Sequence, residues 1–428
     1  MRLSRSIAAA AATAACLTFA PPDARAQQKS PLPVVAPAKV GLSAERLARI
    51  VSVFRKEVDE GRIPGVVVAV VRRGKLAYFE SVGFQDKAGN VPMRKDAVFS
   101  IASMTKPWVS LAIMMLVEEG RILLADPVGK YLPPLAAMKV AMVKTDAGGK
   151  QSVESMPAKR QPTVQDLLRH TSGFTYGARG DSIVHKMHPA SSSASSTTWT
   201  SKEFVEHLGK LPLVHQPGTV WEYSVSTDIL GLVVEAVSGK QLGAFLEERL
   251  FRPLGMVDSG FAVKDAQKTR YARALAKDPV TGKDQSVLHA SGKTLKFECG
   301  GGCGVSTASD YIRFAQMLLN KGTLDGRRIV GRKTVQLMTA NHLDPETVNN
   351  VPQQGYGFGL GFAVRLGEGR TPYQGSTGDY NWGGAFGTYF WVDPKEELAV
   401  VFMSVGPGPI RVTYRNMITS LVLSSIVD

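Results

Sequence analysis

One motif in the chain pairs a nucleophile with a base: the Ser-Met-Thr-Lys sequence at 103–106, its only Ser-x-x-Lys. A short apolar stretch precedes it, and a helix-like run from Val109 follows. Because Pro107 is tolerated only near a helix start, Ser103 is predicted to lie at or just before the first turn, where the helix dipole favours negative charge. Lys106 then lies on the same helical face, and burial in a cleft would favour the neutral amine that accepts a serine proton. A helix-capping serine beside a solvated lysine is the alternative.

A tyrosine and a glycine-rich segment further along the chain could complete such a site. Tyr223 lies between predicted helices, in a Trp-Glu-Tyr-Ser-Val-Ser segment, and its phenol could share a proton with the serine and lysine of the motif. The glycine-rich segment consists of Trp382, Gly383, Gly384 and Ala385. Its glycines would let the backbone approach a ligand closely, and an N–H at an edge strand can complete an oxyanion hole. Each motif also has a plainer interpretation when it is considered alone: Tyr223 as a buried tyrosine, and the two glycines as a turn.

Two predicted hairpins, one near each end of the chain, would position these residues. The first joins a buried-strand run, Gly65 to Val71, to a second strand, Leu76 to Val82. The second joins Gly387 to Val392 to Leu398 to Ser404. The two hairpins most simply share one antiparallel sheet, and the apolar run Asn416 to Val427 predicts a closing helix.

The stretch between the hairpins is predicted to be mainly helical, with Ser191 to Thr198 as a loop. The predicted helices are Val109 to Glu119, Val164 to Arg169, Ser201 to Leu208, Thr227 to Val237 and Ala244 to Leu250. The fold class is therefore α/β (α+β), an antiparallel sheet flanked by helices with an inserted mainly helical domain. The predicted bounds are 27–40 for an extended segment, 41–105 and 290–428 for the discontinuous α/β domain, and 106–289 for the inserted helical domain.

Composition narrows the class of protein. The chain has 428 residues, 44% hydrophobic and 21% charged, which excludes a disordered or fibrous protein. Its net charge is +14, but the lysines and arginines are scattered, so we interpret them as a solvated surface and expect no nucleic-acid partner. There is no Gly-x-Ser-x-Gly, no His-Glu-x-x-His and no complete P-loop, so neither a metal nor a cofactor is expected. The oligomeric state has no signature in the sequence.

The N-terminus has the pattern of a targeting segment. Two arginines precede an uncharged run from Ile7 to Ala20, and a small-x-small site follows at 24–26. This pattern predicts a signal peptide over residues 1–26, cut after Ala26, and a periplasmic or secreted protein. The run is too short to favour an uncleaved anchor, so no stable membrane insertion is expected.

The order of the motifs resembles that of the serine β-lactamase and penicillin-binding-protein superfamily, most closely its class C branch and the family VIII carboxylesterases. The shared features are the Ser-x-x-Lys motif, a tyrosine about 120 residues later and a glycine-rich strand near the C-terminus. The resemblance covers about residues 40 to 425 and includes similar segments at 162–173, 228–231, 304–308 and 389–394.

This resemblance implies a β-lactamase-like fold and a set of catalytic roles. Ser103 would be the nucleophile that becomes acylated, and Lys106 would be its general base. Tyr223 would help to activate the serine, protonate the leaving group and later help to activate water. The backbone N–H groups of Ser103 and Ala385 would form the oxyanion hole, in which one donor is typically worth roughly 10²–10³ in rate.

Two departures from the family pattern bear on the substrate. Lactamases usually have Asn where this chain has Val225, and Lys where it has Trp382. Together with Gly383 and Gly384, these residues are predicted to contact the substrate. A neutral, aromatic-walled cleft should bind an acyl ester with a short or medium chain better than an anionic β-lactam. The alternatives are a β-lactamase or D-amino-acid peptidase or amidase on the same scaffold, and a non-catalytic penicillin-recognising protein.

Cysteines and histidines leave two smaller questions. Cys299 and Cys303 flank three glycines, and either a disulfide or two buried thiols fits the spacing. His170 could in principle belong to a Ser–His–Asp triad, but it lies in a segment whose family counterpart is structural.

Overall fold

An eight-stranded antiparallel sheet forms the centre of residues 31–428, the part of the chain that the computed structural model describes. The predicted signal peptide and its cleavage site lie outside these residues. In chain order the strands are β1 (Gly65–Arg72), β2 (Lys75–Asp86), β3 (Val91–Pro92), β4 (Phe99–Ala102), β5 (Lys139–Thr145), β6 (Gln151–Pro157), β7 (Gly304–Ser306), β8 (Thr323–Leu324), β9 (Arg327–Arg328), β10 (Tyr356–Phe358), β11 (Ala363–Arg365), β12 (Tyr380–Gly383), β13 (Tyr389–Asp393) and β14 (Leu398–Ser404). The large sheet has the order β10-β11-β12-β13-β14-β1-β2-β3, and β4–β7, β5–β6 and β8–β9 form separate pairs.

Helices cover the sheet and fill the middle of the chain. The α-helices are α1 (Ala44–Asp59), α2 (Thr105–Glu118), α3 (Val164–Leu168), α4 (Ser192–Thr198), α5 (Ser201–Gly209), α6 (Ser226–Ser238), α7 (Leu242–Leu246), α8 (Arg252–Leu254), α9 (Ala308–Leu319), α10 (Arg332–Met338) and α11 (Ile410–Leu423). A π-helical turn, Glu247–Phe251, joins α7 to α8. Short 3₁₀ helices lie at Pro37–Val40, Val128–Lys130, Pro133–Leu135, Gly177–Arg179, His185–Met187, Asp265–Arg270 and Leu288–Ala290.

Strand β1 is buried on both faces and separates two apolar clusters. Its even-numbered residues from Val66 to Val70 pack with side chains of α1 and α11. The odd-numbered residues from Val67 to Val71 belong to the larger cluster that includes α2 and α9. The unbroken valine-rich run therefore has a physical reason, because successive side chains of a strand point to opposite faces and here both faces are covered.

Helix α1 shows how the sequence specifies one of these covering layers. The Ser43 side chain accepts a hydrogen bond from the N–H of Arg46, which caps the first turn. Leu47, Ile50 and Phe54 recur at helical spacing and are all buried against the sheet.

Most of the predicted elements are present, with two corrections. Both hairpins exist and share one antiparallel sheet, which confirms the predicted fold class. The closing helix begins at Ile410, six residues earlier than Asn416. The prediction of a loop over residues 191–198 is wrong, because Ser191 caps Ala194 and the buried Ser195 helps to hold helix α4. The proposed division into an α/β domain and an inserted helical domain stays a prediction.

The helices of residues 31–428 bear on whether this part of the chain could cross a membrane. No single helix there is both long and apolar enough to cross a bilayer, and α6 with Leu242–Leu254 reaches that length only as a pair bent by 76°.

Candidate active site

Ser103 lies in a tight turn between strand β4 and helix α2. Ala102, the last residue of β4, has a φ of 44°, in the left-handed region that costs a non-glycine residue on the order of 1–2 kcal/mol. The N–H of Met104 donates to the carbonyl of Ile101 at 3.1 Å and closes the turn. Helix α2 begins at Thr105, so Ser103 lies just before its first turn, as the sequence predicts.

A cleft of about 260 Å³ brings several predicted site residues together. Its lining includes Ser103, Tyr223, Trp382, Gly383 and Ala385. These residues come from the β4–α2 turn, the segment before α6, strand β12 and the turn between β12 and β13. Residues far apart in sequence therefore share one cavity with the serine.

Lys106 lies beside this cleft in the protein interior, with only 2% of its surface exposed. Its Nζ donates to the carbonyl of Gly301 at 2.6 Å and to the Tyr176 hydroxyl at 3.3 Å. The same Nζ lies 4.4 Å from the centre of the Tyr223 ring, within the range of a cation–π contact. The amine is therefore held on several sides and faces the predicted catalytic tyrosine.

The Tyr223 phenol is fixed by aromatic neighbours. The indole Nε1 of Trp382 donates to its hydroxyl at 3.3 Å, and the two rings lie 5.3 Å apart. The Trp221 ring stacks at 6.0 Å from the Tyr223 ring. Trp382 therefore holds the tyrosine hydroxyl as well as lining the cleft, a role that the sequence did not reveal.

His170 is a neighbour of Tyr223 and forms no hydrogen bond with Ser103. Its ring lies 4.8 Å from that of Tyr223, and its Nδ1 is 3.4 Å from the Ser224 hydroxyl. Burial lowers the pKa of His170 well below its usual range, and the nearby positive charge of Lys106 lowers it further. In the described part of the chain no histidine hydrogen-bonds Ser103, so the geometry does not support a Ser–His–Asp triad.

The two glycines after Trp382 make room for other parts of the protein. A Cβ on Gly383 would lie 2.4 Å from Cζ of Arg415, and one on Gly384 would lie 2.2 Å from the Ile101 carbonyl oxygen. The sequence predicts that these glycines admit a ligand. In the structure Gly383 leaves room for the Arg415 side chain, and Gly384 lets the β12–β13 turn pack closely on the end of β4.

This close packing brings two free amides to the cleft. Across residues 31–428, no acceptor takes the backbone N–H of Ser103 or of Ala385. Both residues line the cleft, so both amides remain available to an oxygen of a bound molecule.

Val225 and Gly384 are absent from the lining of this cleft. Val225 is completely buried as the N-cap residue of helix α6. The structure therefore does not place it where a substrate could touch it.

Cys299 and Cys303 form a disulfide, with their Cα atoms 5.2 Å apart. The bond closes a loop of three glycines, Gly300 to Gly302. Within that loop lies the Gly301 carbonyl that accepts the Lys106 amine.

The expectation of a neutral cleft is wrong. Arg179, Arg411 and Arg415 line it, whereas no aspartate or glutamate of the described residues does. Burial lowers the pKa of Arg411 and lowers that of Arg415 to about 10, a value at which Arg415 is still charged at neutral pH. The last two were missed because the closing helix was predicted to begin only at Asn416.

Sequence reasoning also missed a buried polar cluster beside Lys106, made of Tyr176, Ser192 and Asp228. Ser192 lies in the predicted loop over residues 191–198, and Asp228 was named only as part of the family-like segment 228–231. The sequence did contain one indication of this cluster, because Asp228 stands at the start of an apolar helix. A carboxylate is rarely buried without a partner, so a buried helix with an aspartate predicts polar neighbours there.

Over 31–428, histidine, cysteine, aspartate and glutamate side chains form no group of three that could hold an ion.

The fold and the cleft together define a serine hydrolase of the β-lactamase fold. The sequence model of the β-lactamase family matches residues 50–419, so the chain belongs to that family.

Relatives and solved structures agree with this assignment. An uncharacterised protein of Mycobacterium tuberculosis is 33% identical over 360 residues, 82% of this chain and 88% of the relative. Esterase EstB of Burkholderia gladioli is 29% identical over 396 residues, 88% of this chain and 96% of EstB. The structure of simvastatin synthase (LovD) from Aspergillus terreus superposes with a TM-score of 0.75 at 23% identity, covering 89% of this chain and 99% of that one, and so supports the fold.

Proposed function

We propose that the protein hydrolyses carboxylic esters with short or medium acyl chains through an acyl-enzyme on Ser103. The observation that carries this proposal is the meeting of Ser103, Tyr223 and the free Ala385 amide in one cleft, with the Lys106 amine next to the Tyr223 ring. The similarity to esterase EstB over nearly the whole chain supports it.

In the first half-reaction the Ser103 oxygen bonds to the ester carbonyl carbon, and its proton passes to Lys106. The carbonyl oxygen becomes an oxyanion that accepts hydrogen bonds from the amides of Ser103 and Ala385. As the tetrahedral intermediate collapses, the C–O bond to the alcohol breaks and Tyr223 donates a proton to the departing oxygen. The tyrosine regains a proton from Lys106.

In the second half-reaction a water molecule attacks the acyl-serine. The Tyr223 hydroxyl accepts one proton of the water and passes its own to Lys106, and the same two amides hold the oxyanion. The bond between the acyl carbon and the Ser103 oxygen then breaks, and Lys106 returns the proton to that oxygen. The carboxylic acid leaves.

The size and walls of the cleft support the proposed chain length. A volume of about 260 Å³ bounded by Trp221, Tyr223 and Trp382 accommodates a small apolar acyl group and offers it aromatic faces.

One observation favours a second activity, β-lactam hydrolysis. Arg411 and Arg415 bring positive charge into the cleft although Trp382 stands where lactamases usually have lysine. An anionic substrate could pair with these guanidinium groups.

We further propose that the protein is exported to the periplasm or secreted. The disulfide between Cys299 and Cys303 supports this, because such bonds persist in oxidising compartments.

The test compares hydrolysis of p-nitrophenyl butyrate and nitrocefin by the wild-type protein and by Ser103→Ala. We expect ester turnover well above nitrocefin turnover, both abolished by the substitution. Dominant nitrocefin turnover would favour the lactamase alternative. Turnover that persists in Ser103→Ala would overturn the assignment of the nucleophile. Absence of any turnover in the wild type, with Ser103 still labelled by a fluorophosphonate, would point to an amide substrate or a penicillin-recognising protein.

A further inference from the structure

Buried polar groups form a closed hydrogen-bonded network around the Lys106 amine. Besides its bond from Lys106, the Tyr176 hydroxyl lies 2.7 Å from the Ser192 hydroxyl. Both hydroxyls donate to Oδ2 of Asp228, at 3.2 Å and 2.8 Å. Oδ1 of Asp228 accepts the N–H of Gly301 at 2.8 Å. The carbonyl of the same glycine accepts the Lys106 amine at 2.6 Å, which closes the ring.

Asp228 has the hydrogen-bonding pattern of a carboxylate. It is fully buried, and each of its three hydrogen bonds comes from a donor. Burial raises the pKa of Asp228, while the positive charge of Lys106 and the three donors oppose that rise. Within residues 31–428 no lysine or arginine forms a direct ion pair with Asp228, so Lys106 is the cation that acts on it.

Gly301 connects the carboxylate to the amine and has no room for a side chain. A Cβ at this position would lie 2.3 Å from the Ser192 hydroxyl and 2.6 Å from Oδ2 of Asp228. The Cys299–Cys303 disulfide closes the loop on either side of it. The Gly301 carbonyl, which accepts the hydrogen bond from the Lys106 amine, therefore lies in a five-residue loop whose two ends are joined by the disulfide.

We propose that Asp228 is a positioning residue for the Lys106 amine, acting through Gly301, Tyr176 and Ser192. The inference rests on the proposed function, in which Lys106 takes the proton of Ser103 as the serine oxygen bonds to the acyl carbon. That transfer turns the amine into an ammonium ion inside the protein. A fixed carboxylate nearby stabilises the ammonium more strongly than it would in water, and without rearrangement.

Other titratable groups also face the amine and are part of any pH dependence. The phenols of Tyr176 and Tyr223 contact it directly. The buried His170 ring is close enough for Lys106 to lower its pKa, and Arg179 acts on the same histidine.

The test uses Asp228→Asn, which keeps the shape of the side chain and removes its charge. The first readout is the rate at which a fluorophosphonate labels Ser103, followed by intact mass spectrometry from pH 5 to pH 10. The second is kcat/KM on p-nitrophenyl butyrate over the same range. We expect the plateau rate to fall about tenfold or more and the acid limb to move to lower pH by about one unit, because an amine without its nearby anion is a weaker base. A uniformly lower rate with an unmoved limb, or a profile that superimposes on the wild type, would overturn the proposal.

Two further variants keep the test decisive. Asp310→Asn is the matched control, since Asp310 is a buried carboxylate on helix α9 outside the network, and its profile should equal that of the wild type. If Asp228→Asn does not fold, Ser192→Ala replaces it by removing one donor to Asp228. We then expect labelling about threefold slower, and an unchanged rate would overturn the inference.

Labelling separates this inference from the proposed function. A fluorophosphonate reports the nucleophilicity of Ser103 without requiring an ester as the natural substrate. Wild-type protein that is labelled but hydrolyses no ester would contradict the ester proposal while Asp228 is still tested. Wild-type protein that is neither labelled nor active would contradict both.

Discussion

On the cleft side of Ser103, arginine side chains and aromatic rings border open space, whereas on the buried side an amine, two hydroxyls and a carboxylate hydrogen-bond one another. The cleft side is positively charged and lacks acidic residues in the described structure. The buried side contains Asp228 as its fixed negative charge and is closed by a disulfide loop.

This difference separates two tasks. Apart from Tyr223, which the mechanism uses for proton transfer, the side chains that border open space can pair with parts of a substrate, so they should govern which molecule binds. Groups in the buried network cannot touch a substrate, so they should govern how readily the serine loses its proton. Substitutions on the two sides should therefore change different kinetic constants.

The largest expected effect comes from removing the amine on the buried side. Lys106→Met replaces a buried side chain by one of similar length. It should lower kcat/KM for p-nitrophenyl butyrate by about 10³-fold or more, since among residues 31–428 no lysine lines the cleft to take the serine proton instead. Lys333→Met, on the exposed face of helix α10, is the control and should behave as the wild type. Retention of more than a tenth of the activity in Lys106→Met would remove lysine from the mechanism.

A smaller effect is expected from opening the loop behind the amine. The double variant Cys299→Ala/Cys303→Ala frees the ends of the loop that carries Gly301. We expect fluorophosphonate labelling of Ser103 to slow about tenfold while KM for the ester stays unchanged. Circular dichroism checks that the fold is retained. A changed KM with an unchanged labelling rate would contradict the separation of the two sides.

On the cleft side, Arg411→Gln should affect binding of negative charge. We expect KM to rise about fivefold for a butyrate ester of a carboxylated phenol and to stay unchanged for the uncharged phenyl ester, because an exposed ion pair contributes on the order of 1 kcal/mol. Arg411 donates to the carbonyls of Pro407 and Gly408, neither of which lines the cleft. It is preferred to Arg415, which donates to the Gly384 carbonyl next to the Ala385 amide. The exposed Arg332→Gln is the matched control. Equal changes for both esters would show that Arg411 does not recognise charge.

The smallest effect on activity is expected at Asp310, a buried aspartate that belongs neither to the cleft lining nor to the network around Lys106. Burial raises the pKa of Asp310 to about 7 from a usual 3.8. The folded protein therefore keeps a proton that the unfolded chain releases, so this contribution to stability is full at low pH and is lost as pH rises through about 7. Asp310→Asn mimics the protonated form and should lose less melting temperature between pH 5 and pH 8 than the wild type, with kcat/KM unchanged. An equal loss in both proteins would show that Asp310 is not protonated in the fold.

The sequence predicts those parts of this arrangement that neighbouring residues determine, and it does not predict those that depend on contacts between distant residues. Strand β1 could be predicted because its run of valines is almost continuous. The start of helix α2 could be predicted because Pro107 is tolerated only near a helix start. Helix α4 was missed because serine and threonine favour caps and turns over helix interiors, and only its capping and tertiary burial make it helical. The hydrogen bond between Asp228 and Gly301 joins positions 73 residues apart, and nothing in either local segment marks it.

The position of β1 in the sheet also has a consequence for how the chain is made. Strand β1 lies between β2, its immediate successor in the chain, and β14, which ends at Ser404. At roughly 5–20 residues per second of synthesis, the first hairpin waits on the order of half a minute for its other neighbour. During that time one edge of β1, a strand that is buried along its whole length in the finished fold, is unpaired, and such edges readily join other chains. A nascent chain of this protein should therefore depend on a holding chaperone until its last strand has been made.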